Sequence, residues 1–512
     1  MATLDQIKHI VVLMLENRSF DNMLGWLYDP ANPAPFNQPP SSGTFEGVAG
    51  KNLSNPSVLG PPVPVGKGTD PTAPNPDAGE PYEDVYAQIY GQKDVLPLAK
   101  VPPVPPPPPN MQGFLYNYTL KCAGTQTNPN VIMNCFTGAT VPVLWSLAYN
   151  YAVCDHWFAS IPTQTLCNRS FLHAGTSSGY VNNEGGDGIL FVNDTPTIFN
   201  VMSEAQRNWK IHCASWRIAS LALLTQSQLW DECASEQFAH LEDFCKAAAT
   251  PGGLPEYSFI EPIYLDSLVW GAENDMHPES QALILDGASN VEQGEKLLYT
   301  VYNAVRNSPD WNSTMLLILF DEHGGCYDHV CPPTFSNCDF AISPDGKVIP
   351  QNHSGGSGFK FDRLGVRVPA IVVSPYTDAR TVLNKVYDHT TALSTIVNCL
   401  GLPKGKLGDR QKKAPDLSEA LNRPTVRTDF PPIPEPAGWD PSLATRLATA
   451  GRTLMRARGK PLNDLQKKIL IGGAHRLNLS SARIYEAGQL ATHLDADAYL
   501  MKVEAELLAK KL

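Results

Sequence analysis

Three apolar runs stand out along the chain. They are Ile10-Val11-Val12-Leu13-Met14-Leu15, Thr314 to Phe320 and Val368 to Ser374. Short runs without alternation predict strands buried on both faces, as in a parallel sheet covered by helices. Trp209-Lys210-Ile211-His212 predicts a further strand start. Helical patterns lie between these runs. Ser19 predicts a cap for a helix from Phe20 to about Tyr28, and helices are expected over 141–151 and 293–307. Buried strands alternating with helices predict a doubly wound α/β sheet.

Two stretches break this rhythm. Residues 30–110 are rich in proline and glycine, with Pro61-Pro62-Val63-Pro64 and the run Pro105 to Pro109. They cannot continue a helix or a central strand, and they predict an excursion or lid with polyproline segments, or a plain surface loop. Near residue 430, Pro431-Pro432-Ile433-Pro434 predicts a linker. Beyond it, helices are expected at about 441–456, 462–475 and 495–510, the last with Leu500, Val503 and Leu507 on one face. The expected organisation is a catalytic domain over 1–430 and a small helical region over 431–512.

Composition narrows the function classes. The chain has 512 residues and a net charge of −12, which excludes a broad basic surface for nucleic acid. No apolar run approaches the ~18 residues of a membrane-spanning helix. The N-terminal apolar run leads into Glu16-Asn17-Arg18 with no small-residue cleavage site, so the chain is expected to be soluble without a classical signal. That leaves the cytoplasm or a specialised export route. The 11 cysteines are an odd number and predict mostly free thiols, with one local bridge, Cys331 to Cys338, open. Between Glu435 and Leu512 there are 12 Lys and Arg against 8 Asp and Glu. Arg446, Arg452, Arg456, Arg458 and Lys460 cluster there, either as a solvated face or as an anchor on anionic lipid.

The chemistry is expected at the carboxyl ends of the strands, where parallel sheets bind ligands. Glu16 and Asn17 follow the first strand. Asp321 and Glu322 follow the second. Carboxylates and an amide converging at one edge repel unless a divalent cation sits among them; capping of loops is the bland alternative. A third segment, Ala159 to Arg169, holds hydroxyls, Asn168 and Arg169. Thr165 there is a candidate nucleophile, with Asn168 and Arg169 as donors for phosphate oxygens.

Five ordered segments resemble one family. They are Glu16-Asn17-Arg18-Ser19-Phe20-Asp21, the loop Ala159 to Arg169, Asn274-Asp275-Met276-His277-Pro278, the segment Phe320 to His329, and Phe361 to Pro369. The family is that of the phosphoesterases, with bacterial phosphatidylcholine phospholipases C, plant non-specific phospholipases C and bacterial acid phosphatases. The resemblance implies an alkaline-phosphatase-like α/β fold. It implies that Glu16, Asn17, Asp321 and Glu322 hold a metal that Thr165 also touches as nucleophile. It places Asp275 and His277 near the phosphate or leaving oxygen, His277 as proton donor and Asp275 orienting it. The chain departs from the family pattern at Cys167, where proline is usual, and at Asn22, where histidine is usual.

The expected function is phospholipase C action on a phospholipid, phosphatidylcholine foremost, through a phosphothreonine intermediate. The rivals are an acid phosphatase acting on soluble phosphomonoesters and an inactive lipid-binding effector. Zinc is favoured by the resemblance, and calcium or manganese by the oxygen ligands. His353 is expected at the pocket border. His323 and His329 are expected to brace the Gly324-Gly325 turn, His389 to stand behind the site or cap a helix, and His156 and His173 to be structural. Cys167 has no base partner in the sequence and is not expected to react.

Overall fold

The apolar run His9–Leu15 forms strand β1 of a central sheet in the computed structural model, with Ile10 to Leu15 fully buried. The structure describes residues 2–58, 60–91, 108–184, 190–232, 235–278, 291–334, 359–429, 431–439, 461–462 and 464–509. The other strands of that sheet are β2 (Ala152–Cys154), β3 (Trp209–Cys213), β4 (Phe238–His240), β5 (Tyr257–Glu261), β6 (Thr314–Phe320), β7 (Ala370–Val373) and β8 (Thr381–Leu383). Their order is β8-β2-β7-β6-β1-β5-β3-β4. β7 runs antiparallel to β6 and β2, and the remaining pairs are parallel. The mostly parallel, helix-flanked sheet expected from the apolar runs is therefore present.

Strand register decides which polar residues meet at the sheet's edge. β1 lies between β5 and β6, and Leu15 pairs with Phe320. The chain leaves both strands at the same level, so Glu16 and Asp321 emerge side by side. Ile260 of β5 pairs with Leu13, which sends the segment after Glu261 over the same edge.

The helices differ from expectation in extent. The helix capped by Ser19 covers Phe20–Leu24 and stops there. Gly25 packs its backbone on Asp21, and Tyr28 takes a left-handed φ of 65°, which ends helical continuation. The helices Pro142–Asn150 and Val291–Arg306 lie where periodicity put them. The proline-rich excursion contains a helix, Tyr82–Tyr90, that the composition concealed.

At the C-terminus, the helices Asp464–Arg476, Ser481–Gln489 and His493–Ala509 pack on the main body. Leu500 and Val503 are buried in the core and Leu507 packs against it. The expected basic helix at 441–456 with its arginine cluster, His353 and Cys338 lie outside the described residues. No helix among the described residues is long and apolar enough to cross a membrane.

Candidate active site

The edge formed by β1 and β6 collects the polar groups. Asn17 adopts a left-handed φ of 55°, a conformation asparagine tolerates better than most residues. Its backbone N–H donates to Asp321 Oδ1 at 3.0 Å. This leaves its side chain at the centre of the site. Asn17 Oδ1 accepts from the Thr165 hydroxyl at 3.3 Å. Its Nδ2 lies 2.9 Å from Glu80 Oε2 and 3.0 Å from His277 Nε2.

Thr165 is the first residue of the helix Thr165–Ala174. The N–H groups of a helix's first turn have no intrahelical acceptor and favour anions. Asn183 Oδ1 satisfies one of them, at Leu166.

Beneath this hydroxyl, Arg169 is fully buried. Its Nε donates to Asp321 Oδ2 at 3.1 Å, and its Nη2 lies 3.3 Å from Glu16 Oε1. Arg169 therefore compensates the charge of the strand-end carboxylates through Nε and Nη2. Asn168, expected to contact phosphate, uses both ends of its amide on the preceding loop. It accepts from Ile161 N and donates to the carbonyls of Thr163 and Gln164. In this geometry it braces the loop that presents Thr165. The Cys167 thiol is buried and directed at Asn182 O, and burial raises its pKa well above the ordinary thiol range.

His277 comes from the segment after β5. The Asp275 carboxylate accepts from its backbone N–H at 2.9 Å, which orients the residue, while Asp275 O accepts from Glu16 N. The ring is held differently, with Nδ1 2.6 Å from Pro278 O. A proton on Nδ1 satisfies that carbonyl and leaves Nε2 facing the site. Burial alone would lower the ring's pKa. Asp77, Glu80, Glu16 and Asp275 outweigh it and raise the pKa well above the usual value.

Asp77 and Glu80 were not among the expected residues. They lie in the proline-rich excursion, yet ligand-type atoms of Asp77, Glu80 and His277 fall within 4.8 Å of one another. The Gly324-Gly325 turn admits them. A Cβ on Gly325 would meet Ala78 Cβ and Gly79 O, both at 2.7 Å. His323 Nε2 reaches Gln88 Oε1 at 2.8 Å and so ties the excursion's helix to the same turn. The available signal was an acidic pair around Ala78-Gly79 just ahead of a helix.

The donor set suits a cation. Oε1 of Glu322 and Oδ1 of Asp77 are buried and meet no hydrogen-bond donor among the described residues. Burial and the neighbouring Asp321 push Glu322 up to about 8. Burial and Glu322 do the same to Glu80, also to about 8. Burial raises Glu16 as well, against the pull of Arg169. Crowded, desolvated carboxylates of this kind are stabilised in their charged forms by a positive ion among them.

The remaining histidines take supporting places. His389 Nε2 lies 2.6 Å from Asp321 O, behind the site. His329 pairs with Asp21 and Glu46, beside an Arg367 guanidinium that bridges Asp21 and Asp328. Those carboxylate oxygens are filled by N–H donors, so this cluster holds the segments together. His173 is buried against Phe259, and His156 pairs with Asp155. Cys331 is a free, exposed thiol.

A hydroxyl at a helix N-terminus thus stands near buried carboxylates at the carboxyl edge of an α/β sheet, and the relatives of the chain place it among the phosphoric ester hydrolases. The chain belongs to the phosphoesterase family, whose sequence pattern matches residues 7–403. Among its relatives, non-specific phospholipase C3 of Arabidopsis thaliana is 32% identical over 86% of this chain and 78% of the relative. Non-specific phospholipase C5 of the same plant is 33% identical over 83% of this chain and 76% of the relative. Phospholipase C A of Mycobacterium tuberculosis is 26% identical over 82% and 78%. A solved protein in the alkaline phosphatase superfamily from Vibrio parahaemolyticus is similar at 10% identity, covering 53% of this chain and 64% of that one with a TM-score of 0.31.

Proposed function

We propose that this protein is a phospholipase C that cleaves phospholipids to diacylglycerol and a phosphorylated head group, phosphatidylcholine being the first substrate to test. The observation that carries this reading is the Thr165 hydroxyl, 3.3 Å from Asn17 Oδ1 at a helix N-terminus beside the strand-end carboxylates. The phospholipase C names of the relatives support the substrate class.

Thr165 gives up its hydroxyl proton to water as Oγ1 attacks phosphorus, and the bond to the glycerol oxygen breaks. His277 supplies the proton that the departing diacylglycerol oxygen takes up. The phosphothreonine ester so formed carries the head group; water then attacks phosphorus and gives one proton to His277, the P–O bond to Thr165 breaks, and Oγ1 takes a proton from solvent to restore the hydroxyl. Glu16, Asn17, Asp321 and Glu322 would hold a divalent cation, with Thr165 beside it. That ion, when bound, supplies positive charge that lowers the proton affinity of a neighbouring hydroxyl and offsets charge on phosphoryl oxygens. The oxygen-rich donor set suits calcium or manganese, and the nearby imidazole suits zinc.

The test is mass spectrometry of the products from a mixed phospholipid extract, with elemental analysis of the same enzyme sample. Diacylglycerol with phosphorylated head groups, made by enzyme carrying a stoichiometric divalent metal, is expected. Release of inorganic phosphate from monoesters with lipids untouched would assign an acid phosphatase instead.

A further inference from the structure

We propose that Gln466, in the C-terminal helical region, is a positioning residue that sets the placement of His277 and Arg169. The segment between Glu261 and His277 leaves β5, makes a tight turn at Ser267 to Gly271, and returns to the site. Its two limbs pair directly, Ile263 with Asn274 and Asp266 with Glu273, and a buried amide from the C-terminal region bridges them as well. Gln466 Nε2 donates to Tyr264 O at 2.9 Å on the outgoing limb and to Glu273 Oε1 at 2.8 Å on the returning limb. Gln466 and Glu273 are both 4% exposed, so water does not substitute for either bond.

Each limb leads to a group of the site. The Tyr264 ring lies 5.5 Å from the Arg169 guanidinium. Glu273 stands two residues before Asp275 and four before His277. The same region holds the turn from outside. His493 Nδ1 accepts from Asp266 N at 3.0 Å, and Asp497 Oδ2 accepts from Leu268 N at 2.9 Å. The C-terminal helices are thus built into the wall that carries the proton donor. Gln466 is the member of this set whose bonds span both limbs, beside the direct Ile263–Asn274 pair. A reacting group displaced by about 1 Å can lose about 10²-fold in rate.

This inference rests on the reading of His277 as proton donor, and the test separates the two. His277→Ala and Gln466→Leu are compared on short-chain substrates with a good leaving group, a nitrophenyl ester, and a poor one, an alkyl ester. Gln466→Leu is expected to lower kcat on the alkyl ester about 10- to 100-fold with little change in KM or metal content, and to affect the nitrophenyl ester less. Combined with His277→Ala it should add little further loss. Gln466→Asn, too short for both bonds, should show the same signature at smaller size and covers the case in which the leucine variant folds poorly. Tyr485→Ala, at an exposed position of the C-terminal helices, serves as the control and should leave both rates unchanged. Equal losses on both esters in Gln466→Leu and Gln466→Asn, with unequal losses in His277→Ala, would overturn the positioning role alone. Equal losses in His277→Ala would overturn both readings.

Discussion

Gly324 is the residue whose smallest alteration should disturb the site most. It has a φ of 58°, and a Cβ built there falls 2.2 Å from Asn17 O and 2.7 Å from Asn17 Cβ. Ordinary contact begins at 3.4 Å, so Gly324→Ala requires the two backbones to part by about 1 Å. Asn17 is itself left-handed and links Thr165, Glu80, His277 and Asp321, so it cannot move without carrying the site with it. Two effects are expected together. The left-handed alanine costs about 1–2 kcal/mol of stability, and the displaced Asn17 lowers kcat by about 10²-fold. Gly401→Ala separates them, because its φ is 61° but nothing lies within 4 Å of the added Cβ. That control should lose similar stability and keep its kcat. The assay pairs urea unfolding with turnover of a short-chain soluble phospholipid. Wild-type kcat in Gly324→Ala would refute the placement of Asn17 at the centre of catalysis.

Three further outcomes are expected. Thr165→Ala should lose at least ~10³ in kcat and stay folded, while Thr165→Ser keeps partial activity because the hydroxyl remains; titration of active protein by kinetics and circular dichroism checks both. Glu16→Ala and Asp321→Ala should lose bound metal by elemental analysis together with turnover, and full activity in verified metal-free enzyme would contradict the cation site. His212 is buried beside Phe244, and burial lowers its pKa to about 4. The unfolded state therefore binds this proton first as the pH falls, so its contribution to stability is present above about 6.5 and is lost toward 4. His212→Phe should flatten the slope of stability against pH in that window by up to about 1.4 kcal/mol per unit, measured by urea unfolding at several pH values, and an unchanged slope would sink the assignment.

The sheet and the heart of the site were legible because one physical rule governed both. A strand buried on each side must be continuously apolar, and the first polar residues after it mark the sheet's edge. That rule located Glu16, Asn17, Asp321 and Glu322, and parallel register then set Leu15 opposite Phe320. Asp77 and Glu80 were hidden because they sit in a proline-rich segment without periodicity, where no pattern tells an ordered excursion from a loose loop. Asn168 and Arg169 follow Thr165 on the same helix, but residue type does not reveal what a donor faces. Asn168 turned to its own loop, and Arg169 to Glu16 and Asp321. Gln466 carried no signal at all, since its partners lie about 200 residues earlier and its role depends on how two distant segments dock.

The central claim is that Thr165 becomes covalently esterified during turnover. Enzyme mixed with excess phosphatidylcholine, quenched in acid within the first turnovers and digested, should yield a peptide containing Thr165 with a phosphorylated head group on its hydroxyl. The modification should be absent from Thr165→Ala and from unreacted enzyme. Diacylglycerol formed at the normal rate, with Thr165 unmodified at every quench time and Thr165→Ala still active, would show that water attacks phosphorus directly and would contradict the account.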